Sequence, residues 1–316
     1  MSVGTRASRT GLFACAALLL MLSALNGCAT SKPAEEPPSG DDRLERTSRV
    51  ALIAFQQGRY ASAATLYGQV ANLAYERDDI DAAVDAQYNA TVCLVRLDRI
   101  DEADALLGRT KAELQRAGRS EPLEVTLLEA TVLYRQQRYE EAWALTDKII
   151  SDAPNSQAAR RAQFLRGMIA ADQGDTVRLR VAIAELDPTT DDRLKADRLE
   201  LSGHLARIEK RYDNSVDAFV EAARLRSVGS DYRGTVRALA SAGEAAEAAG
   251  QDSQASVHYL RAGRSALQQG ARVRARELLT RARTLAEEVG DTETAREAQI
   301  YLTQLEESEP VSASGS

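Results

Sequence analysis

Few side chains in this chain have the types and spacings that carry catalysis or bind metals. The two histidines, His204 and His258, lie 54 positions apart, and no Gly-x-Gly-x-x-Gly, Walker A, Gly-x-Ser-x-Gly or His-Glu-x-x-His motif occurs. The acidic cluster Asp78-Asp79-Asp81 stands where a helix is expected to begin, and carboxylates there stabilise the helix dipole. We predict a non-enzymatic protein with no metal, no cofactor and no small-molecule substrate. An enzyme with an unrecognised site is the alternative.

A run of arginines near the carboxyl end is the second feature with chemical potential. It comprises Arg261, Arg264, Arg272, Arg274, Arg276, Arg281 and Arg283. Guanidinium groups bind anionic partners through bidentate contacts. On a helical wheel, however, these arginines flank an apolar stripe, where their stems can lie along apolar surface with the charged heads in water. We favour this structural interpretation over an anion-binding one.

The amino terminus has the pattern of an export signal. Arg6 and Arg9 precede an uncharged, mostly apolar run over residues 12–25. These fourteen residues are too few for a transmembrane helix, which needs about 20, so the pattern predicts a secretory signal peptide over residues 1–27. The sequence Leu25-Asn26-Gly27-Cys28 resembles the lipobox of bacterial lipoproteins.

The lipobox resemblance implies cleavage before Cys28, followed by a diacylglycerol on its sulfur and an acyl chain on its new amino terminus. Several acyl chains hold a protein at a membrane far more firmly than one chain. By resemblance to the sorting of enterobacterial lipoproteins, Ala29 implies the periplasmic face of the outer membrane. An ordinary secreted protein and an uncleaved anchor are the alternatives.

Composition divides the rest of the chain. Residues 28–43, with three Pro, two Glu and one Gly, are predicted to form a flexible tether. Residues 308–316, with four serines, are predicted to form a disordered tail. A solenoid is predicted between them, over residues 44–307. Without residues 1–27 the chain has 38 basic and 47 acidic residues, a net charge of −9, which argues against nucleic acid as a partner. Cys93 is then the one free thiol, expected among buried apolar residues.

A five-residue signature recurs seven times along the chain. In each copy a small or polar residue precedes an alanine, or its substitute, by five positions. The pairs are Gly58/Ala63, Asp98/Ala103, Gln137/Ala142, Gly174/Leu179, Lys210/Ser215, Gly250/Ala255 and Gly290/Ala295. Successive copies are 36 to 40 residues apart, and a period in this range is typical of a solenoid of helix pairs.

The segments between these signatures are predicted to be helical. About fourteen helices are expected between Leu44 and Leu305, because no segment shows sustained alternation of apolar and polar residues. In the helix predicted over Ala271–Val289, the apolar residues other than Val273 fall in one sector about 120° wide, which is typical of a helix packed on its neighbours.

These residues resemble the tetratricopeptide repeat (TPR), in which small residues, aromatics and alanines recur at fixed positions of a helix pair. The sixth repeat matches it at Gly243, Gly250, Ala255, Tyr259 and Ala262. The resemblance covers about residues 44–306 and implies an all-α fold, a right-handed α-solenoid of about seven TPR-like helix pairs. The period exceeds the family's 34 residues, so several helices should be about one turn longer. An irregular junction is expected at the fourth repeat, where Leu179 replaces Ala.

In this family the first helix of each pair lines a concave groove that binds protein partners, so the resemblance implies a protein–protein interaction scaffold. The residues expected to face the groove are Phe55, Tyr88, Arg96, Tyr134, Arg135, Arg161, Met168, Arg207 and Arg237. Aromatic and arginine side chains are the usual energetic anchors of interfaces. The groove, together with the lipid anchor expected on Cys28, predicts a scaffold that helps assemble an envelope complex: an outer-membrane protein, a pilus secretin or a secretion machine. An adaptor of peptidoglycan synthases or hydrolases, and a self-associating structural protein, are alternatives.

Overall fold

The computed structural model describes residues 40–186 and 191–307, and within these ranges the chain forms fourteen α-helices and no strand. The helices are α1 (Gly40–Gln56), α2 (Tyr60–Tyr75), α3 (Ile80–Arg96), α4 (Ile100–Arg116), α5 (Leu123–Arg135), α6 (Tyr139–Asp152), α7 (Gln157–Asp172), α8 (Thr176–Glu185), α9 (Asp192–Ile208), α10 (Tyr212–Val228), α11 (Tyr232–Ala248), α12 (Asp252–Gln268), α13 (Arg272–Glu288) and α14 (Thr292–Glu307). Each packs on the next, as a solenoid of helix pairs does. The predicted all-α class is confirmed.

Several predictions concern residues outside these ranges. The signal peptide over residues 1–27, the lipidated Cys28 and the tail over residues 308–316 all lie outside the described residues. The last residues of the predicted tether are described and belong to a helix, because α1 begins at Gly40, four residues before the expected start of the solenoid. An acidic residue, Asp42, stands in its first turn, where negative charge favours a helix. Among the described helices, none is both long and apolar enough to cross a bilayer.

One turn geometry explains the period of the sequence. Eleven of the interhelical turns place a residue in the left-handed region with φ between 58° and 75°. At Asp98, for example, its N–H donates to the carbonyl of Val95 and the next N–H, of Arg99, donates to that of Leu94, which closes the end of α3. These residues are Gly58, Asp78, Asp98, Gly118, Gln137, Gly174, Lys210, Ser230, Gly250, Gly270 and Gly290.

The same turn therefore occurs both within and between helix pairs. Helices α9 to α13 each have 17 residues, and from α10 onwards three residues separate each helix from the next. The unit that repeats is thus 20 residues, and two units make the 40-residue period. The longer helices expected from that period are confirmed.

Close helix packing depends on small residues opposite large ones. A Cβ atom added at Gly203 would lie 2.8 Å from the ring of Phe219, and one added at Gly243 would lie 2.8 Å from the ring of Tyr259. Both rings come from the second helix of the same pair, sixteen residues on. Because glycine has no side chain, the partner helix approaches closely and the aromatic ring fills the remaining space.

The predicted apolar stripe of α13 is confirmed, since Ala275, Leu278 and Leu285 are buried while Val273 is 74% exposed. Leu179 in the fourth repeat is also fully buried, although it is larger than the expected alanine. Its helix, α8, has 10 residues and is the shortest of those described. The fourth repeat is therefore the irregular one, as expected.

Candidate protein-binding groove

The odd-numbered helices, which are the first helices of the pairs, face one another across an inner surface. On α11, Nη2 of Arg233 donates to the main-chain carbonyl of Arg96 on α3 at 3.3 Å, although 137 residues separate them. The guanidinium of Arg237, also on α11, lies 5.4 Å from the centre of the Phe164 ring on α7. These contacts between helices distant in sequence define the inner surface as the groove side of the solenoid.

All nine predicted groove residues lie on odd-numbered helices. The exposed ones are Arg96, Arg135, Arg161 and Arg237, the half-buried ones are Phe55, Tyr88, Tyr134 and Arg207, and Met168 is buried. Met168 is 8% exposed and belongs to a core cluster with Leu201 and Leu205, because α9 packs closely on α7 beside Gly167. The side chain of Met168 therefore stabilises the fold and is not open to a partner. Binding by the other eight stays a prediction.

The aromatic groove residues are held by their neighbours. The ring of Phe55 meets that of Tyr60 edge to face at 5.5 Å. The hydroxyl of Tyr134 donates to Oδ2 of Asp172 at 2.7 Å. Burial, followed by the charge of Asp172, raises the pKa of Tyr134 above its usual value. The phenol therefore stays protonated and acts as a fixed hydrogen-bond donor.

A buried ion network occupies one part of the inner surface. Glu200 on α9 is fully buried, and its Oε2 accepts from Nη2 of Arg226 at 2.5 Å and from Nη2 of Arg237 at 3.1 Å. Arg226 also donates to Asp197 at 2.7 Å and to Asp231 at 2.9 Å. Burial alone would raise the pKa of Glu200, but Arg237 and Arg226 outweigh it and lower the pKa to about 2. Arg237 was predicted to contact a partner and is already bound to a carboxylate.

Both histidines are buried. Burial lowers the pKa of His204 to about 4. Burial, followed by the charge of Arg261, lowers the pKa of His258 to about 4. Both are therefore neutral at pH 7, and the ring of His204 meets Phe219 edge to face at 4.9 Å. Across residues 40–186 and 191–307, no group of three or more His, Cys, Asp or Glu side chains is placed to hold a metal ion.

Most arginines of the carboxyl-terminal run are engaged within the solenoid. Arg264 pairs with Glu297 at 3.3 Å, Arg274 with Glu277 at 3.1 Å, and Arg281 with Glu247. The interpretation that this run is structural agrees with these contacts.

A second part of the inner surface was missed by sequence reasoning. Arg233, Tyr60 and Phe164 were not among the predicted residues, yet the guanidinium of Arg233 lies 5.4 Å from the centre of the Tyr60 ring. Arg233 stands four residues before Arg237, so that spacing alone places it on the same helical face. The contact with Tyr60 has no local signal, because it joins the first helix pair to the sixth.

No family model matches the chain, and no curated protein matches its sequence. Solved structures match its fold. A Rap protein complexed with competence and sporulation factor is similar at 10% identity over 83% of this chain and 80% of that one, with a TM-score of 0.54. The apo quorum sensor NprR from B. thuringiensis is similar at 8% identity over 86% and 89%, with a TM-score of 0.51.

A tetratricopeptide repeat protein from Parabacteroides merdae is also similar, at 13% identity over 81% of this chain and 98% of that one, with a TM-score of 0.46. At these identities the likeness concerns the fold. Together with the paired helices and the shared turn, the likeness to the Rap and NprR structures shows that the fold is an all-α solenoid of helix pairs.

Proposed function

We propose that the protein is a non-enzymatic scaffold of the bacterial envelope. Lipid on Cys28 holds it at the periplasmic face of the outer membrane, and its groove binds a protein partner during assembly of an outer-membrane protein, a pilus secretin or a secretion machine. The observation that carries the binding role is the row of exposed arginines and half-buried tyrosines on successive odd-numbered helices. Such side chains anchor interfaces.

The similarity to a structure with a bound factor supports this role. The Rap protein was solved in complex with competence and sporulation factor, so a solenoid of this kind holds a ligand. The anchor rests on the sequence of residues 1–28, and the envelope partner follows from the location that this sequence predicts.

Site-specific crosslinking in intact cells tests the binding role. A photo-crosslinking residue replaces Tyr88 in the full-length lipidated protein, and the matched control replaces Val181, which is 49% exposed on the even-numbered helix α8. Capture and mass spectrometry should recover a barrel, pilus or secretion subunit from Tyr88 and not from Val181. Cell-wall enzymes at Tyr88 would instead indicate an adaptor, recovery of the chain alone would indicate self-association, and equal products from both positions would contradict a groove.

Membrane fractionation tests the anchor separately. Cys28→Ser should move the protein from the membrane fraction to the soluble periplasm, because the lipids would have no attachment point. Cys15→Ser, inside the apolar run of the signal, is the matched control and should leave the protein on the membrane. Retention of the Cys28→Ser protein on the membrane would contradict lipid anchoring.

A further inference from the structure

Three arginines on the inner surface lack a carboxylate partner. Most arginines described are ion-paired, as in the network around Glu200, but Arg96, Arg161 and Arg233 have no described carboxylate within ion-pair distance. We call Arg96, Arg161 and Arg233, with Tyr60 and Tyr88, the open arginine cluster.

The members of the open arginine cluster lie close together. Arg233 donates to the carbonyl of Arg96 at 3.3 Å and stacks over Tyr60. Burial, then the charges of Arg96 and Arg135, lower the pKa of Arg233 to about 10. The charges of Arg161 and Arg96 both act on the hydroxyl of Tyr88. Four positive charges, including that of Arg135, therefore surround one region.

Nearby acids do not neutralise this region. Asp98 borders it, but its carboxylate is already bound to Arg135 at 2.5 Å. Glu124 also acts on Tyr88 but lies within ion-pair distance of none of the three open arginines. Four arginines against these two acids leave a local charge of about +2, from ordinary side-chain charges at pH 7. This excess is local, since the whole chain has a net charge of −7.

Arg233 is also short of hydrogen-bond acceptors. Its Nη1 is buried and has no hydrogen-bond partner. Leaving such a donor unsatisfied is unfavourable, and a carboxylate bound by the neighbouring arginines supplies a counter-charge to Arg233. Because Nη2 of Arg233 is bound to the Arg96 carbonyl, the hydrogen bonds to a carboxylate come from the exposed side chains of Arg96 and Arg161, whose planar guanidinium groups can make two parallel hydrogen bonds.

We propose that the open arginine cluster binds carboxylate side chains of an acidic segment in the protein partner. This rests on the proposed scaffold function and names the chemistry of the ligand. The net negative charge of the chain disfavours a long polyanion such as nucleic acid, whereas a short segment with a few Glu or Asp residues meets only the local positive region. The tyrosines offer stacking surface for apolar residues between the carboxylates.

Peptide binding to the lipidated full-length protein in detergent micelles tests this proposal. The probe is a fluorescein-labelled decapeptide of alternating Glu and Leu, and its counterpart has Gln for every Glu. The Glu peptide should bind at least about tenfold more tightly than the Gln peptide, and added salt should weaken it. Equal binding of the two peptides, or no binding of the Glu peptide, would overturn the proposal.

Variants localise the effect. Arg96→Gln with Arg233→Gln should weaken Glu-peptide binding at least about tenfold, equivalent to about 1.4 kcal/mol. The matched control is Arg116→Gln with Arg224→Gln, on even-numbered helices and 71% and 59% exposed; it should bind as wild type. Arg96→Lys with Arg233→Lys keeps both charges but loses the planar guanidinium groups, and should bind the Glu peptide with intermediate affinity. This variant tests the site if the double Gln variant does not fold. Unchanged binding in every cluster variant would place the peptide elsewhere.

Failure of this proposal and failure of the scaffold function are distinguishable. If Tyr88 crosslinks an envelope protein but Glu and Gln peptides bind alike, the scaffold stands and the carboxylate site fails. If the Glu peptide binds through Arg96 and Arg233 but no envelope protein crosslinks, the site stands and the scaffold function fails. Displacement of the Glu peptide by inorganic phosphate at the same concentration as the peptide would show a general anion site and overturn the peptide assignment.

Discussion

Two arginine clusters on the same inner surface differ in whether their charge is neutralised. Around Glu200, Arg226 and Arg237 share a fully buried carboxylate, and each guanidinium lies 5.4 Å from the centre of the Phe164 ring. In the open arginine cluster, the described contacts of the Arg233 guanidinium are the main-chain carbonyl of Arg96 and the ring of Tyr60. The same residue type thus stabilises the fold in one place and remains available for a ligand in the other.

The difference separates structural from functional charge. A buried ion pair contributes little net stability while it is complete, but removing one partner leaves the other uncompensated and is strongly destabilising. Arg233 in the open arginine cluster makes one hydrogen bond to a main-chain carbonyl and one stacking contact, so its removal should cost far less. Stability measurements should therefore distinguish the two regions.

The largest effect is expected for Glu200→Gln. It leaves Arg226 and Arg237 without their shared carboxylate and should lower the free energy of unfolding by about 3–5 kcal/mol, measured by urea denaturation. Glu221→Gln is the control, because Glu221 forms an exposed pair with Arg224 and its loss should cost less than about 1 kcal/mol. Similar losses for both variants would mean that the Glu200 network is not structural.

Acid should weaken the same network. The pKa of Glu200 lies at about 2 in the fold, below the ordinary value of about 4.3, so its contribution is present above pH 4.5 and is lost as the pH falls towards 2. At about 1.4 kcal/mol per unit of pKa, this loss is about 3 kcal/mol. The free energy of unfolding should therefore fall more steeply below pH 4.5 in the wild type than in Glu200→Gln. Parallel curves would contradict the low pKa.

Asp197 should show the opposite pH dependence. Burial raises its pKa to about 6 although Arg226 lies 2.7 Å away, and the charge of Glu200 adds to the effect. Its contribution to stability is therefore present below about pH 4 and is lost as the pH rises through 6. Asp197→Asn should remove about 2 kcal/mol of this decline between pH 4 and 6.5, measured by urea denaturation across that range. An unchanged slope would mean that Asp197 stays ionised throughout.

The smallest effect on stability is expected in the open arginine cluster. Arg233→Gln should change the free energy of unfolding by less than about 0.5 kcal/mol, because the lost stacking on Tyr60 is offset by removal of a like charge beside Arg96. Arg237→Gln is the comparison and should destabilise the protein by several times as much, since it strips a partner from buried Glu200. Equal losses in the two variants would remove the distinction between the clusters.

Much of the fold could be predicted because its determinants are local. The glycine at Gly243 and the ring of Tyr259 lie sixteen residues apart on neighbouring helices, so their contact follows from helix length and turn geometry. The buried face of α13 follows from its own periodicity. The 20-residue unit was overlooked because its turn residue varies among Gly, Asp, Gln, Lys and Ser, which hides the shared conformation.

The groove was predicted less completely. Placement of the candidates on the first helix of each pair was sound, yet Met168 lies in the core and Arg237 is bound to Glu200. Whether a helix residue faces solvent or a neighbour depends on how the next pair is rotated, and Gly167 brings Leu201 close enough to bury Met168. The apolar periodicity of one helix gives no information about how the next pair is rotated.

The sequence by itself determined the helices, their turns and their pairing, because hydrogen bonds and contacts within about 20 residues decide each of them. Tertiary structure alone decided which arginines are neutralised. Glu200 meets Arg237 across 37 residues, and Arg233 meets Arg96 across 137. Contacts between residues so far apart in sequence depend on small rotations between repeats that add up along the solenoid. The tertiary structure therefore decides which charged groups of the inner surface meet.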